Sequence, residues 1–473
     1  MAKKHEILKD VLVENYAAEG RSLARVNGKV IFIEQAVPGD VVDLRITKNK
    51  KDWAEGQVLQ FEKYSEDRVT PFCSHFGVCG GCQWQMLPYE NQLQYKQQQV
   101  ADNLGRIGKI SLPPIFPIIG AEKIRHYRNK IEYTFCNKQY LQPHQLHDPN
   151  FSAYENVAGY HARGFFDKVV DIETCYLQEE PSNQLRKLVK AFGLSNGFSF
   201  YDVRKHQGFL RNLQLRICRS GEIMVNILLG YEDEKKQRAL LDHVTEQFPS
   251  ITSLFYTINT KWNDSMHHLS PQLYYGKGFV IEKLEDFKFK IGPKSFFQTN
   301  TEQAEKLYQV TRSFAELTGN EILYDLYCGT GSIGIFLSKQ AKKIIGVESI
   351  GGAVQDAKEN ADLNNIMHAE FFEGDVINVC TDVFFAEHGK PDLIITDPPR
   401  AGMHEKLVRK VIEMEAPIIV YASCNPATQA RDLNLLTEKY EVTKIQPVDM
   451  FPHTHHIENI VQLKLRKNRS ESF

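Results

Sequence analysis

The sequence predicts an α/β protein in three parts. A small OB-like β-barrel is expected over residues 1–62, an α+β central domain over 63–290, and a Rossmann-like, doubly wound domain over 291–473. Three observations predict this. Short apolar runs punctuated by turn residues crowd the N-terminus. Strand-like alternation returns after a proline-broken linker near residue 111. From about residue 291 strands and helices alternate in strict succession. A chain of 473 residues also exceeds what one ordinary core supports, so several domains are expected.

The barrel rests on five short strands. "ILKDVLVENYA" comes first, then "RSLARV" and "KVIFIEQ" around Asn27-Gly28, a hairpin signal. "VPGD" turns the chain into "VVDLRITKN", and "WAEGQVLQFE" closes the segment. Small barrels of this kind commonly bind oligonucleotides, but a fold does not fix a function.

The central domain opens on a cysteine cluster at 72–84. A helix follows in "MLPYENQLQYKQQQVADNLGRIG", then the linker "SLPPIFPIIG". Strands are expected in "KIEYTFCN", "AGYHARG", "VVDIETCYL", "FLRNLQLRIC", "IMVNILLG", "SLFYTINT" and "FKFKIGP", with one helix, "QLRKLVKAFG", among them.

In the C-terminal part, strands "EILYDLYC", "KIIGVES", "AEFFEGD", "DLIITDPP" and "PIIVYASC" alternate with helices, and strands "EVTKIQPVD" and "IVQLKLR" close the chain. In such sheets ligands bind beyond the carboxyl ends of the strands.

Composition narrows the class. The apolar fraction is 42% and no apolar run approaches a membrane span. "MAKKHEILKD" lacks the apolar core of a secretory signal, so a cytoplasmic location is expected, where structural disulfides are rare. The nine cysteines are then core, metal-ligating or reactive. The net charge of -2 carries no global nucleic-acid signature. Local basic patches at Lys48–Lys51, Arg125–Lys130 and Leu465–Arg469 each read, alone, as solvated surface.

"DLYCGTGSIG" fits G-x-G-x-x-G through Gly329, Gly331 and Gly334, so a nicotinamide oxidoreductase is one reading. Asp325 argues against it. An acid just before the turn repels a pyrophosphate and suits a cationic ligand, such as the amino group of S-adenosylmethionine. Glu348 ends the second strand, where it can take both ribose hydroxyls. Asp375 ends the third and is placed for an adenine amino group, and Asp397 ends the fourth, where the substrate belongs. Any one of these acids alone reads as a helix cap. Four at successive strand ends point to a class I methyltransferase domain.

Cys424 ends the fifth strand in "YASCNP", on the same crevice. A nucleophile is needed when the methyl acceptor is a poorly nucleophilic ring carbon. Thiolate addition to C6 of a pyrimidine makes C5 able to attack a methyl group. A base must then remove the C5 proton, and Glu458, in "HTHHIENIVQL", is the candidate. "CSHFGVCGGCQWQ" supplies Cys73, Cys79 and Cys82, with Cys175 in "DIETCYL" as a fourth thiol. By chemistry alone zinc and a four-iron cluster both remain open.

"DLYCGTGSIG", "TDPPR", "YASCNPATQARDL" and "HHIENIVQL" together resemble the RNA (uracil-5-)-methyltransferases, and within them the iron–sulfur branch acting on 23S ribosomal RNA. The resemblance covers essentially the whole chain, including a TRAM-type barrel. It implies that Cys424 is the nucleophile and Glu458 the base. It implies that Gln298, Tyr327, Glu348 and Asp397 line the S-adenosylmethionine site, with Gln298 and Asp397 also touching the uracil edge. It favours a [4Fe–4S] cluster on Cys73, Cys79, Cys82 and Cys175, with a structural role. The partner implied is RNA, ribosomal first and transfer RNA as the alternative. No membrane and no obligate protein partner are implied. A non-catalytic RNA-binding protein is a third reading, against which Cys424, Glu458 and Asp397 stand.

Overall fold

The structure, a computed structural model, describes residues 6–142, 145, 155–266 and 268–466. The start of "MAKKHEILKD" and the last three residues of the Leu465–Arg469 patch lie outside them.

The N-terminal sheet holds strands β1 (Ile7–Leu12), β2 (Asn15–Tyr16), β3 (Ser22–Val26), β4 (Lys29–Ile33), β5 (Val41–Asn49) and β6 (Trp53–Lys63), in the order β1-β5-β6-β4-β3-β2. There are six strands rather than five, because the first expected run bends at Val13–Glu14 and yields both β1 and β2. Asn27 and Gly28 both take positive φ, 52° and 79°, as a tight hairpin between right-twisted strands requires. Alternating Ala24, Ile31, Ile33, Val42, Leu44 and Ala54 fill the interior.

The central sheet runs β13-β12-β11-β10-β7-β8-β9, from β7 (Lys130–Cys136), β8 (Val157–His161), β9 (Val169–Asp171), β10 (Leu210–Ile217), β11 (Ile223–Leu229), β12 (Ser253–Ile258) and β13 (Gln272–Gly276). Helix α1 (Tyr89–Arg106) precedes it. Two helices pack on it, not one: α2 (Ser182–Ser195) and α3 (Glu234–Gln247). The second escapes a reading by periodicity because "EKKQRALLDHVTEQ" is mostly polar. Asp233 caps it, and only Gln237, Leu240, Leu241 and Val244 turn inward. Cys175 lies beyond the short β9, in irregular chain.

Hairpin β14 (Val280–Leu284) and β15 (Phe287–Ile291) packs in the core of the C-terminal sheet, which Met224 and Phe255 of the central sheet also join. The C-terminal sheet contains β16 (Ile322–Leu326), β17 (Lys343–Glu348), β18 (Ala369–Glu373), β19 (Leu393–Thr396), β20 (Ile418–Ser423), β21 (Tyr440–Val448) and β22 (Glu458–Leu465). Its order is β18-β17-β16-β19-β20-β22-β21. The first five strands are parallel, and β22 runs antiparallel between β20 and β21. Helices α4 (Thr301–Ala315), α5 (Ser332–Leu337), α6 (Gly351–Leu363), α7 (Val376–Val379), α8 (Asp382–His388), α9 (Glu405–Met414) and α10 (Pro426–Leu436) make the connections. The strand order reverses between β16 and β19, which opens the crevice.

The linker after α1 is part of this sheet's edge: Ile115 bridges Ile445 and Ile119 bridges Val448. Val100 and Leu104 of α1 pack in the same core as Leu433 and Leu436 of α10. Among the described residues no helix is long and apolar enough to cross a membrane.

Candidate active site

Asp325 lies within β16, 1% exposed. Its Oδ2 accepts the Gly334 N–H at 2.9 Å, while the equally buried Oδ1 has no hydrogen-bond partner. Burial pushes this carboxyl up to about 7, with Asp397 and Glu348 adding to the rise. An orphaned carboxylate oxygen in a crevice fits an ammonium group. Gly334 is glycine because a Cβ there would stand 3.1 Å from that same Oδ2.

The turn after β16 adopts the left-handed region at Tyr327 (φ 61°), Gly329 (φ 53°) and Gly331 (φ 75°). Tyr327 holds this conformation without being glycine, an uncommon backbone state. A Cβ on Gly331 would press Ala357 and Phe371 at 3.1 Å, so that glycine serves packing. A Cβ on Gly329 would meet nothing within 4 Å, so the backbone there faces open space. Glu348 sits beside it at the end of β17 and accepts the N–H of Gly329 at 3.2 Å and of Ile350 at 3.0 Å. Asp375 is exposed and caps α7, accepting the Ile377 N–H at 2.8 Å. For this acid the capping geometry is what the structure shows.

Gln298 is buried just before α4. Its carbonyl is gripped by Asn129 Nδ2 at 2.9 Å, and Asn129 also donates to Thr301 Oγ1 at 2.8 Å. The loop carrying Gln298 is thereby pinned to the start of β7.

Cys424 occupies the elbow between β20 and α10. Asn425 caps the helix through the Ala427 N–H, and Pro426 stands at its first turn. The motif residues that follow are clamps. Arg431 donates to the carbonyls of Ala401 and Met403, at 3.0 and 2.9 Å. Asp432 accepts the Met403 N–H and the Tyr421 hydroxyl, at 2.8 and 2.7 Å. They tie the Asp397–Met403 loop to the Cys424 elbow.

Antiparallel pairing sets Ser423 opposite Asn459. One step further along that register brings Cys424 across from Glu458. Electrostatics agree. Burial foremost, with Glu458 and Asp397 adding to it, pushes the Cys424 thiol up to about 12 against the pull of Arg400. Glu458 is held well above the usual carboxylate range by burial and by Asp397, again opposed by Arg400. Asp397 is pushed to about 7 by burial. One thiol, two carboxyls and one guanidinium thus act on one another at this strand mouth, and both acids hold their protons above the ordinary carboxylate range. Arg400 is the only cation of the set. It closes the "TDPPR" motif, yet no sequence signal gave it a role.

The chain entering β22 is braced more heavily than any sequence signal suggested. Asp449 and Lys96 form an ion pair at 2.6 Å with both side chains fully buried. Tyr89 donates its hydroxyl to the same carboxylate at 2.8 Å. Gln92 accepts the His453 N–H at 2.9 Å, and the His453 carbonyl accepts the N–H groups of Gln83 and Trp84 at 2.8 and 3.1 Å.

Cys73, Cys79, Cys82 and Cys175 line one small, mostly apolar cavity of about 30 Å³, with Phe72, Phe76 and Tyr160. Burial pushes Cys79 to about 12 and Cys82 to about 11, and the thiols raise one another. Among the described residues no group of three or more His, Cys, Asp or Glu is placed to hold a metal ion. Trp84 is buried and donates to the Gly20 carbonyl, so it is a packing residue.

Residues 270–466 match the family described as tRNA (Uracil-5-)-methyltransferase, and residues 8–59 match the TRAM domain. The chain is 49% identical over 453 residues to a Bacteroides thetaiotaomicron protein named an uncharacterized RNA methyltransferase, across 95% of this chain and 100% of that one. A Porphyromonas gingivalis protein of the same name is 45% identical over 458 residues, across 95% and 98%. Among solved structures, the Pyrococcus abyssi tRNA (uracil-54, C5)-methyltransferase in complex with S-adenosyl-L-homocysteine superposes with a TM-score of 0.74. It is 28% identical, with 96% of this chain and 100% of that one covered.

Proposed function

The chain belongs to the RNA (uracil-5-)-methyltransferase family, with a TRAM domain, and from that premise we propose how its site works and on which RNA. It is an S-adenosylmethionine-dependent RNA methyltransferase. When bound, the cofactor supplies an electrophilic methyl group. Asp325 Oδ1 takes its ammonium group, Glu348 its ribose hydroxyls, and Tyr327, Gln298 and Asp397 line the rest. The open backbone at Gly329 and the orphaned Oδ1 fit such a guest.

Cys424 is the nucleophile. Its thiol gives up a proton to solvent, and Sγ bonds to C6 of a uracil turned out of its stack. The C5–C6 electron pair moves toward the C4 carbonyl and then returns through C5 to bond the methyl carbon, whose bond to the donor's sulfonium would break with both electrons left on that sulfur. Glu458 removes the C5 proton, the double bond reforms, and Sγ leaves. Asp397 accepts from the uracil N3–H, with Gln298 beside it. The observation that carries this reading is the register placing Cys424 across from Glu458.

The four cysteines are proposed to hold a [4Fe–4S] cluster that fixes their loop. What supports the reading is the donor set, four thiols lining one small cavity. The functional division is proposed as barrel 1–62, central domain 63–290 and methyltransferase domain 291–473, acting in the cytoplasm.

The substrate proposed is 23S ribosomal RNA. Transfer RNA is the second reading, favoured by the similarity to the Pyrococcus abyssi enzyme. The test uses 5-fluorouridine-containing ribosomal and transfer RNAs with S-adenosylmethionine, run on a denaturing gel. Fluorine cannot leave C5 as a proton, so a Cys424-dependent shifted band is expected with the true substrate. Absence of a band with both RNAs, while cofactor binding persists, refutes the covalent mechanism.

A further inference from the structure

Away from the crevice, the central domain displays an aromatic and basic strip that the reaction does not use. Trp262 is 80% exposed. Its ring lies parallel to the His206 ring, at 2° and 4.9 Å between centroids. Two positions earlier in the same turn, the Arg204 guanidinium lies 5.1 Å from the Phe166 ring, itself 65% exposed. Phe165, next in sequence, packs on Tyr140 at 5.3 Å. Tyr140, Phe165 and Arg163 then line a cleft of about 540 Å³ shared with Arg21 and Phe32 of the barrel.

The strip is built, not accidental. Arg211, 3% exposed at its side chain, donates to the carbonyls of Asn259, Lys261 and Asn263 at 2.7–2.8 Å and to Asp264 at 2.8 Å. Those bonds hold the loop that presents Trp262. On the other side, Asp202 accepts the N–H groups of Arg204 and Lys205, at 2.9 and 3.1 Å, and fixes the turn with His206 at φ 54°. A large exposed ring on a clamped loop keeps its hydrophobic face available at low ordering cost. Beside it opens a groove of about 560 Å³ lined by Lys205, His206 and Tyr231. Its acid, Asp202, is already engaged by Asn137 and Lys138. Lys205 is exposed, and no described carboxylate pairs with it. Arg204 is paired with Asp167 and Arg21 with Glu19 and Glu55, so Lys205 supplies the free positive charge beside the stacking faces, the combination a single-stranded nucleic acid uses.

We propose that the strip from Tyr140 and Phe165 through Arg204 and His206 to Trp262 binds an unpaired stretch of the substrate RNA remote from the methylated uridine. A base stacks on Trp262 and the adjoining phosphate meets Lys205. This rests on RNA being the substrate, and it extends the barrel-side cleft into a track along the central domain.

The test uses a fluorescently labelled oligoadenylate of about twenty nucleotides, which offers no uracil to Cys424. Trp262→Ala and Lys205→Glu are each expected to weaken its binding about tenfold, as loss of one stacked base or one phosphate contact implies. Trp262→Phe should stay within about threefold of wild type, because a ring is kept. All three variants should form the 5-fluorouridine adduct with a short target hairpin at the wild-type rate, which shows that they are folded. Oligoadenylate affinity unchanged in Trp262→Ala and Lys205→Glu, with the adduct intact, overturns the strip alone. Loss of the adduct in wild type, with oligoadenylate binding and its Trp262 dependence retained, overturns the catalytic reading alone.

Discussion

Replacing Asp325 by asparagine separates ligand binding from stability in opposite directions. The carboxyl stands at about 7 in the folded chain, against ~3.9 when unfolded. An acid raised on folding keeps its proton longer in the folded state, so its contribution is most favourable below ~pH 4 and is lost as pH climbs to 7. Between pH 5 and pH 8 that loss amounts to ~2.7 kcal/mol, nearly two units at 1.36 kcal/mol each. The amide of the Asp325→Asn variant does not titrate. Its oxygen can still accept the Gly334 N–H now bound at 2.9 Å, while its nitrogen would enter the position of the unpartnered Oδ1. That misfit costs about 1–3 kcal/mol at every pH. The informative quantity is therefore the change with pH in the Tm difference between variant and wild type. For a methyltransferase domain of this size, ~2.7 kcal/mol corresponds to roughly 5–11 °C in favour of the variant on going from pH 5 to pH 8. The assay is thermal unfolding without ligand at both pH values, repeated with excess S-adenosylmethionine. Wild type should gain about 3 kcal/mol at a hundredfold excess over Kd, and Asp325→Asn little or nothing. A Tm difference independent of pH, with the cofactor response intact, refutes both the titration and the ammonium contact.

Glu458→Gln should let the thiol add and the methyl transfer but leave the C5 proton in place, so a covalent complex with unmodified RNA should accumulate on a denaturing gel where wild type shows none. The rate at limiting RNA should rise with pH from 6 to 9, because Asp397 at about 7, Glu458 above the carboxylate range and the thiol at about 12 must all lose protons; Asp397→Asn should flatten the acidic limb, read from pH–rate profiles. Lys96→Met, which leaves Asp449 buried without its partner, should cost about 3–5 kcal/mol in thermal unfolding and lower kcat, with Lys96→Met/Asp449→Asn recovering part of the stability. Anaerobically purified protein should carry about four irons per chain by metal analysis, lost in Cys82→Ser, and stoichiometric zinc would sink the cluster assignment.

What was legible in the sequence was local or repetitive. Asn27-Gly28 specifies its hairpin with two residues, and the βα succession after residue 291 repeats one grammar that implies a doubly wound, largely parallel sheet. Cys424 and Asp397 could be placed at one crevice because strand ends define it. Register was not legible. That Cys424 faces Glu458 depends on β22 running back antiparallel to β20, which no local pattern states. Helix α3 was missed because one apolar edge in a polar segment gives little periodic signal. The Lys96–Asp449 pair joins residues 353 positions apart, and a lysine in a glutamine-rich helix looks like any solvated one.

That pair bears on why a methyl transfer with no redox step coexists with four gathered thiols. The segment from Asp449 to Ile457 has no regular structure, so nothing within it fixes where Glu458 begins β22. Its conformation is imposed from outside. Lys96 and Tyr89 hold Asp449, Gln303 and Asn300 hold the carbonyls of Asp449 and Met450, and Tyr127 holds that of Pro452. His453 is held by the N–H groups of Gln83 and Trp84, the two residues that follow Cys82. A buried ion pair adds little net stability over an apolar equivalent, but it does specify one arrangement. The cysteine loop and the loop delivering the base are therefore one mechanical unit. Displacing Cys82 by an ångström displaces the donors to His453, and a general base misplaced by that much loses rate far out of proportion to the stability lost. On the proposed reading, the thiols would act on the chemistry through position.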